Sequence, residues 1–222
     1  MENKNIITAS IVILTLGLLT FSIIYDKSIR MNGLTGNQII PTKVNLLPFV
    51  ASNCSFHLYQ DVNLVSFYCL GMWEELTIAL EPLNSSYDKI FYYEATDSKD
   101  PWKSYKRNLP NWTVQQLTHL DRVHAYWIFM NEEADYNFPG ARKSTLVQLL
   151  PGWNLVGYPG LNNKSINDSL NGLLYASVVT FDNPTKTFNF YIPSAGNNTF
   201  FEFSKYSGYW IYSNATQNWD VN

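Results

Sequence analysis

The chain reads Leu149-Leu150-Pro151-Gly152-Trp153-Asn154-Leu155-Val156-Gly157-Tyr158-Pro159, and 91 positions earlier it reads Leu58-Tyr59-Gln60-Asp61-Val62-Asn63-Leu64-Val65-Ser66-Phe67-Tyr68. A second match pairs Ala125-Tyr126-Trp127-Ile128-Phe129 with Gly208-Tyr209-Trp210-Ile211-Tyr212 at an offset of 83, and Tyr136 then falls on Trp219 and Phe138 on Val221. Self-similarity at a fixed period is the signature of a duplicated folding unit. The offset shrinks by eight, so the first copy carries extra residues in its middle, which we assign to Leu109 to Thr118. The reading is two tandem modules, residues 45–140 and 141–222.

Within a copy, Ser144 to Gln148, then Pro151-Gly152, then Asn154 to Tyr158 reads as a β-hairpin with its turn at Pro-Gly. Ser165 is an N-cap with Asp168 at N3. A short helix follows, with Ile166, Leu170 and Leu173 on one face. The first copy answers with Met72 to Leu80, placing Trp73, Leu76 and Leu80 on one face. Val178 to Phe181 and Phe188 to Ile192 flank the Asn183-Pro184 turn, and Phe200 to Phe203 and Tyr209 to Tyr212 complete the strands. In the first copy the matching hairpin joins Ile90 to Glu94 with Trp102 to Tyr105. The expected fold class is α+β, mainly β, each module an antiparallel sheet with one short helix.

The run from Pro151-Gly152-Trp153-Asn154-Leu155-Val156-Gly157-Tyr158-Pro159 through Gly208-Tyr209-Trp210-Ile211-Tyr212 resembles a tandem module of prokaryotic, largely archaeal, cell-surface proteins. The resemblance covers Val44 to Asn222, strongly in the second copy and weakly in the first. It implies a surface location and transfers no catalytic residue. The first copy departs at Asp61-Val62 for Gly-Trp, at Tyr68-Cys69 for Pro-Gly and at Ala125 for Gly.

Ile6 to Tyr25 is 20 residues without a charged side chain. A helix of that length matches a bilayer core. The expectation is a transmembrane signal-anchor over residues 1–25 and a juxtamembrane linker over 26–44. A cleaved signal or an apolar helix packed in an assembly are the alternatives. Charge counting sets Lys4 against Lys27 and Arg30, which alone puts the C-terminus inside. Asn-x-Ser/Thr triplets at Asn53, Asn84, Asn111, Asn163, Asn167, Asn197 and Asn214 argue the opposite and are candidate N-glycosylation sites. With 24 asparagines in the chain, composition alone produces some of them. The expectation adopted is the C-terminal part outside.

Aromatics make up 16% of the residues and charged side chains 15%. That composition excludes disorder for most of the chain. The net charge of -3 lacks the basic footprint of a nucleic-acid binder. Two cysteines are too few for a disulfide scaffold or a structural zinc site. Cys54 and Cys69 flank the first hairpin. With the turn at Asp61-Val62 they face each other directly, and with the turn at Gln60-Asp61 they lie on a diagonal. Either way a disulfide is expected, with two separate buried thiols as the alternative.

His57, His119 and His124 are not in metal-binding spacing, and no metal or cofactor is implied. Glu74-Glu75 and Asp97 with Asp100 are the acidic pairs; the latter two suit a loop calcium site only weakly against a solvated turn. Trp127, Trp153, Trp210 and Trp219 lie in strand motifs and read as packing residues. Trp73, Trp102 and Trp112 have no tryptophan at the matched positions, and Trp112 is the candidate exposed binding residue. The function expected is a non-enzymatic, membrane-anchored, glycosylated structural or adhesive surface protein. Its partners would be the lipid bilayer through Ile6–Tyr25 and itself or other surface proteins. A carbohydrate- or protein-binding module is the alternative.

Overall fold

The computed structural model describes residues 51–110, 112–141, 145–160 and 162–221. The apolar run Ile6–Tyr25, the linker and Asn111 lie outside them. Among the described residues no helix is long and apolar enough to cross a membrane. Half of the described residues are in strands and 7% in helical turns, so the fold is mainly β.

The first half contains β1 (Ala51–Leu58), β2 (Asp61–Ser66), β3 (Glu74–Glu75), α1 (Leu76–Ala79), β4 (Tyr87–Tyr93), β5 (Trp102–Lys106), β6 (His119–Leu120), β7 (Ala125–Met130) and β8 (Ala134–Ala141). The second half contains β9 (Thr145–Leu149), β10 (Gly152–Gly157), β11 (Lys164–Ser165), α2 (Ile166–Ser169), β12 (Tyr175–Asp182), β13 (Thr187–Tyr191), β14 (Glu202–Phe203), β15 (Gly208–Ser213) and β16 (Gln217–Val221). The first half forms a four-stranded sheet ordered β2-β7-β4-β5 and the ribbons β1/β8 and β3/β6. The second forms β10-β15-β12-β13 with the ribbons β9/β16 and β11/β14. Adding eight to each strand number converts one topology into the other. A bulge recurs at the same place, between Tyr87 and Lys89 and between Tyr175 and Ser177.

The Pro-Gly hairpin expected in the second copy does not form, nor does its counterpart in the first. β9 pairs with β16 and β10 with β15, while β1 pairs with β8 and β2 with β7. The chain instead turns a corner from one sheet into another. The reason lies in the asparagine of the repeated Asn-Leu-Val. Asn154 Oδ1 accepts from Leu150 N at 2.9 Å, and its Nδ2 donates to Leu150 O at 2.8 Å and Gly152 O at 3.0 Å. Asn63 does the same with Tyr59 N, Tyr59 O and Asp61 O at 3.0, 2.7 and 3.1 Å. Both are buried, and each satisfies backbone groups that a ladder would otherwise pair. The corner also needs a left-handed residue. Gly152 supplies it at φ 97°, and Asp61 fills the matched position at φ 68°.

The Cys54–Cys69 disulfide is present, with the Cα atoms 5.6 Å apart. Its geometry is not the cross-strand one expected. Cys54 lies in β1 opposite Phe138, whereas Cys69 follows β2 in the next turn. The corner folds the β1/β8 ribbon back over the start of the sheet, and both cysteines are buried there.

Other expectations also shift. The helix read over Met72 to Leu80 is only the four residues of α1, and Trp73 is 76% exposed rather than on a buried face. The extra residues of the first copy are not confined to Leu109–Thr118. Strand registers place one before β3, two before β4, two between β4 and β5, and three between β5 and β6. The N-cap does form: Ser165 Oγ accepts from Asp168 N at 3.1 Å.

Each half closes its own core with matched hydrogen bonds. Tyr136 Oη donates to Ala79 O and Trp219 Nε1 to Ser169 O, both at 2.8 Å, so the last strand is tied to the end of the helix. Asp121 N donates to Tyr126 Oη at 2.9 Å, and Ser204 N to Tyr209 Oη at 2.6 Å.

The two halves then pack into one compact unit. Trp127 lies against Phe181 and Phe188, at 5.2 and 6.1 Å between ring centroids. Its counterpart Trp210 lies against Tyr93 and Trp102, at 5.1 and 5.9 Å. These partners are themselves matched residues on the β4–β5 and β12–β13 hairpins. Bridges join Val65 to Ser207 and His124 to Val156. Ser66 N donates to Tyr206 O at 3.0 Å and Gly157 N to Val123 O at 2.9 Å. Every pair is carried into the other by exchanging the copies, which defines a pseudo-twofold axis. Near the axis residues meet their own counterparts: a Cβ added to Gly157 would lie 2.3 Å from Ser66 Oγ, and one on Gly208 2.6 Å from Ala125 Cβ. Some contacts among the described residues break the symmetry, and Arg122 Nε donating to Thr145 Oγ1 at 2.8 Å is one of them. Asn183 Oδ1 accepts from Leu64 N at 2.8 Å, and Lys186 Nζ donates to Gln60 O at 2.7 Å and Val62 O at 2.9 Å.

Candidate surface site

Five of the seven tryptophans are accounted for by packing. Trp127, Trp210 and Trp219 are buried. Trp153 sits on β10 between Trp210 and Tyr212, with ring centroids 6.3 and 5.2 Å away. Trp102 packs on Tyr93 and Trp210. The remaining two, Trp73 and Trp112, are 76% and 80% exposed.

Trp73 immediately precedes β3. The β3/β6 ribbon pairs Glu75 with His119 and Glu74 with Leu120, and Leu76 N donates to Thr118 O at 2.9 Å. This places the His119 imidazole against the Trp73 indole, stacked at 4.1 Å with 24° between planes. Thr118 Oγ1 lies 2.9 Å from His119 Nδ1. One face of the indole is therefore covered by the imidazole, while the side chain as a whole stays exposed.

Trp112 projects from the β5–β6 loop, where Thr113 N donates to Pro110 O at 2.8 Å. Val114 beside it is also exposed. Gln115 clips the loop to β5, accepting from Lys106 N at 3.1 Å and donating to Lys106 O at 2.7 Å. Among the described residues Trp112 makes no ring contact, with Trp73 or any other side chain.

The ionisable candidates lie apart. His57 faces Asp135 at 2.8 Å and Glu133 at 3.6 Å on the β1/β8 ribbon. His124 faces Asp121 at 2.8 Å. The Asp97 and Asp100 carboxylates converge on a cation that the protein itself supplies. Lys103 Nζ is 2.6 Å from Asp97 Oδ2 and donates to Asp100 O at 2.6 Å. That hydrogen bond holds the Asp97 carboxyl below its ordinary range. No three His, Cys, Asp or Glu side chains among the described residues are placed to hold a metal ion.

Of the glycosylation candidates, Asn84, Asn163, Asn167, Asn197 and Asn214 are exposed, and Asn53 lies in β1 opposite Pro139. Asn163 immediately precedes β11, as Trp73 immediately precedes β3. Sequence reasoning missed the exposure of Trp73. The signal available was the offset of 91, which sets Trp73 against Lys164, because a buried helix-face residue would not have a lysine as its counterpart.

Comparison with protein-family models, with curated proteins and with solved structures finds no match to this chain.

Proposed function

We propose that this chain is a non-enzymatic extracellular protein, held to a membrane by Ile6–Tyr25 and acting as a structural or adhesive component of a cell surface, appendage or virion. The observation that carries the reading is the Cys54–Cys69 disulfide at the base of the first core. Disulfides of this structural kind persist in oxidising compartments outside the cytosol. The resemblance to prokaryotic surface modules and the exposed asparagine triplets support the same side of the membrane. The test expresses the full chain with a C-terminal epitope in a secretory host. The epitope is then reachable on intact cells, and the protein stays with membranes washed in alkaline carbonate. An epitope protected until lysis, or release into the wash, overturns the reading.

The second reading is a carbohydrate- or protein-binding module. It is favoured by Trp112, whose 80% exposure has no packing role among the described residues. Under it, Trp112→Ala abolishes capture on a glycan array or by a partner while leaving the melting curve unchanged.

A further inference from the structure

The β5–β6 loop, residues 107–118, differs in kind from its counterpart in the second half, residues 192–201. From Pro101 to Leu120 the chain carries Lys103, Lys106 and Arg107 and no acidic residue. Leu109, Trp112 and Val114 are exposed there, the last two at 80% and 78%. Strand registers set Lys106 and Arg107 against Ile192 and Pro193, and counting back from β6 and β14 sets Val114 against Asn197. The second loop carries no charge, and from 192 to 200 its exposed positions are proline, serine, glycine, asparagine and threonine. Its exposed Phe201 matches Thr118, not Trp112, and lies 6.2 Å from the Tyr191 ring. Both loops clip a sheet edge in the same way. Gln115 bonds both backbone groups of Lys106, and Asn198 accepts from Ile192 N at 2.8 Å and donates to Ile192 O at 3.1 Å. The clip therefore requires neither the basic residues nor the exposed apolar ones.

We propose that the β5–β6 loop docks on a lipid bilayer with anionic headgroups, the bilayer that holds Ile6–Tyr25. The inference rests on the membrane-anchored reading above and names the surface that the first half meets.

Tryptophan settles at headgroup level because its ring is apolar and its N–H is polar. Leu109 and Val114 gain by leaving water beside it. Basic residues at their base draw the loop to anionic headgroups over about 8 Å at physiological salt. Lys106 is exposed and, among the described residues, is in no ion pair. Arg107 is fixed at the foot of the loop, its Nη1 donating to Asn84 O and its guanidinium 4.9 Å from the Tyr87 ring centroid. Trp73 is nearly as exposed as Trp112 but is followed by Glu74 and Glu75, which an anionic surface repels. Charge thus selects the loop. The 25 residues between Tyr25 and Ala51 span at most about 80–90 Å when fully extended. An anchored chain therefore keeps the loop at a high effective concentration beside the lipid. Docking also requires Asn111, in Asn111-Trp112-Thr113, to stay unmodified, since a hydrophilic glycan there would hold Trp112 off the lipid.

The test reconstitutes the full chain, made in a secretory host, into vesicles of phosphatidylglycerol and phosphatidylcholine, the latter brominated near the interface. Bromine quenches indoles at short range, and all seven tryptophans lie beyond Ile6–Tyr25, so the anchor adds no signal. Relative to unbrominated vesicles, wild type loses about one-seventh of its tryptophan emission, the share of one indole in seven. Trp112→Ala keeps the wild-type melting curve and loses none. Replacing phosphatidylglycerol with phosphatidylcholine, or Lys106→Gln, lowers the quenching of wild type. Peptide mapping finds Asn111 unmodified. Equal quenching of wild type and Trp112→Ala, quenching indifferent to headgroup charge, or a glycan on Asn111 overturns the proposal alone. A chain that does not enter the vesicles overturns it together with the anchored reading. Glycan capture that Trp112→Ala abolishes, without quenching in vesicles, overturns it in favour of the second reading.

Discussion

Asn63 and Asn154 have a larger part in this fold than their size suggests. Each is a buried amide whose donor and acceptor groups are spent on the backbone of a sheet-to-sheet corner. Removing one leaves several part-buried main-chain groups without that partner, where a fully buried group so orphaned costs about 1–3 kcal/mol. Asn154→Ala is therefore expected to destabilise the protein by roughly 2–4 kcal/mol, read as a lower midpoint in urea at unchanged slope. Gly152, left-handed at φ 97°, gives a separate test. Gly152→Val costs about 1–2 kcal/mol through backbone strain alone, since nothing lies within 4 Å of its Cβ position. The repeated Asn-Leu-Val was legible in the sequence, but its role was not. A hairpin and a corner both show two apolar strands around a turn residue, and only the partners of those strands tell them apart.

At the scale of elements, the sheets have their outer edges covered. Leu117 N donates to Ser104 O and Gln115 occupies the backbone of Lys106, so the β5–β6 loop sits along β5. Thr199 does the same for β13, its N donating to Phe190 O at 3.1 Å and its Oγ1 accepting from Phe190 N at 2.9 Å. Open edges invite pairing with other chains, and these loops block it. The disulfide acts at the same scale, cross-linking residues 15 apart. A loop of that size removes about 3 kcal/mol of unfolded-state entropy. The double variant Cys54→Ala/Cys69→Ala is expected to lose that much, with the urea midpoint shifting and the wild type under reductant following it. The bond was legible, although by an argument that used the wrong strand pairing. The cysteines meet because the turn that follows Ser66 brings Cys69 back against β1, where its N donates to Cys54 Sγ at 3.2 Å.

The whole molecule is held by a pair of exchanged tryptophans. Trp127→Ala and Trp210→Ala each empty a site built from the opposite half, and each is expected to cost about 3–5 kcal/mol. Because the sites are related by the pseudo-twofold, the two losses are similar and both melt the protein in one transition, which calorimetry checks. A stepwise melt with one half surviving contradicts the packing. Alkali tests the cores. Burial raises the phenol pKa values of Tyr126 and Tyr209 above the ordinary 10, and pushes Tyr87 up to about 12. The stabilising contribution of these neutral phenols is complete below pH 10 and is lost as pH rises through the folded-state values. Tyrosine ionisation followed by absorbance is expected to coincide with loss of structure above pH 10, not to precede it. The duplication was plain in the sequence, whereas the interface was hidden. A tryptophan in Tyr-Trp-Ile looks like any core residue, and its partners lie more than 50 positions away in the other copy.

The register of the first ribbon also sets an order of events during synthesis. Cys54 lies opposite Phe138, so the strand that seals the sulfurs is made last in its half. Phe138 lies 69 positions after Cys69, so translation at about 5–20 residues per second gives the thiols roughly 3–14 s beside an oxidant before β8 exists to cover them. The cross-link can thus be written into the nascent chain first, and the ribbon then folds onto a corner already tied.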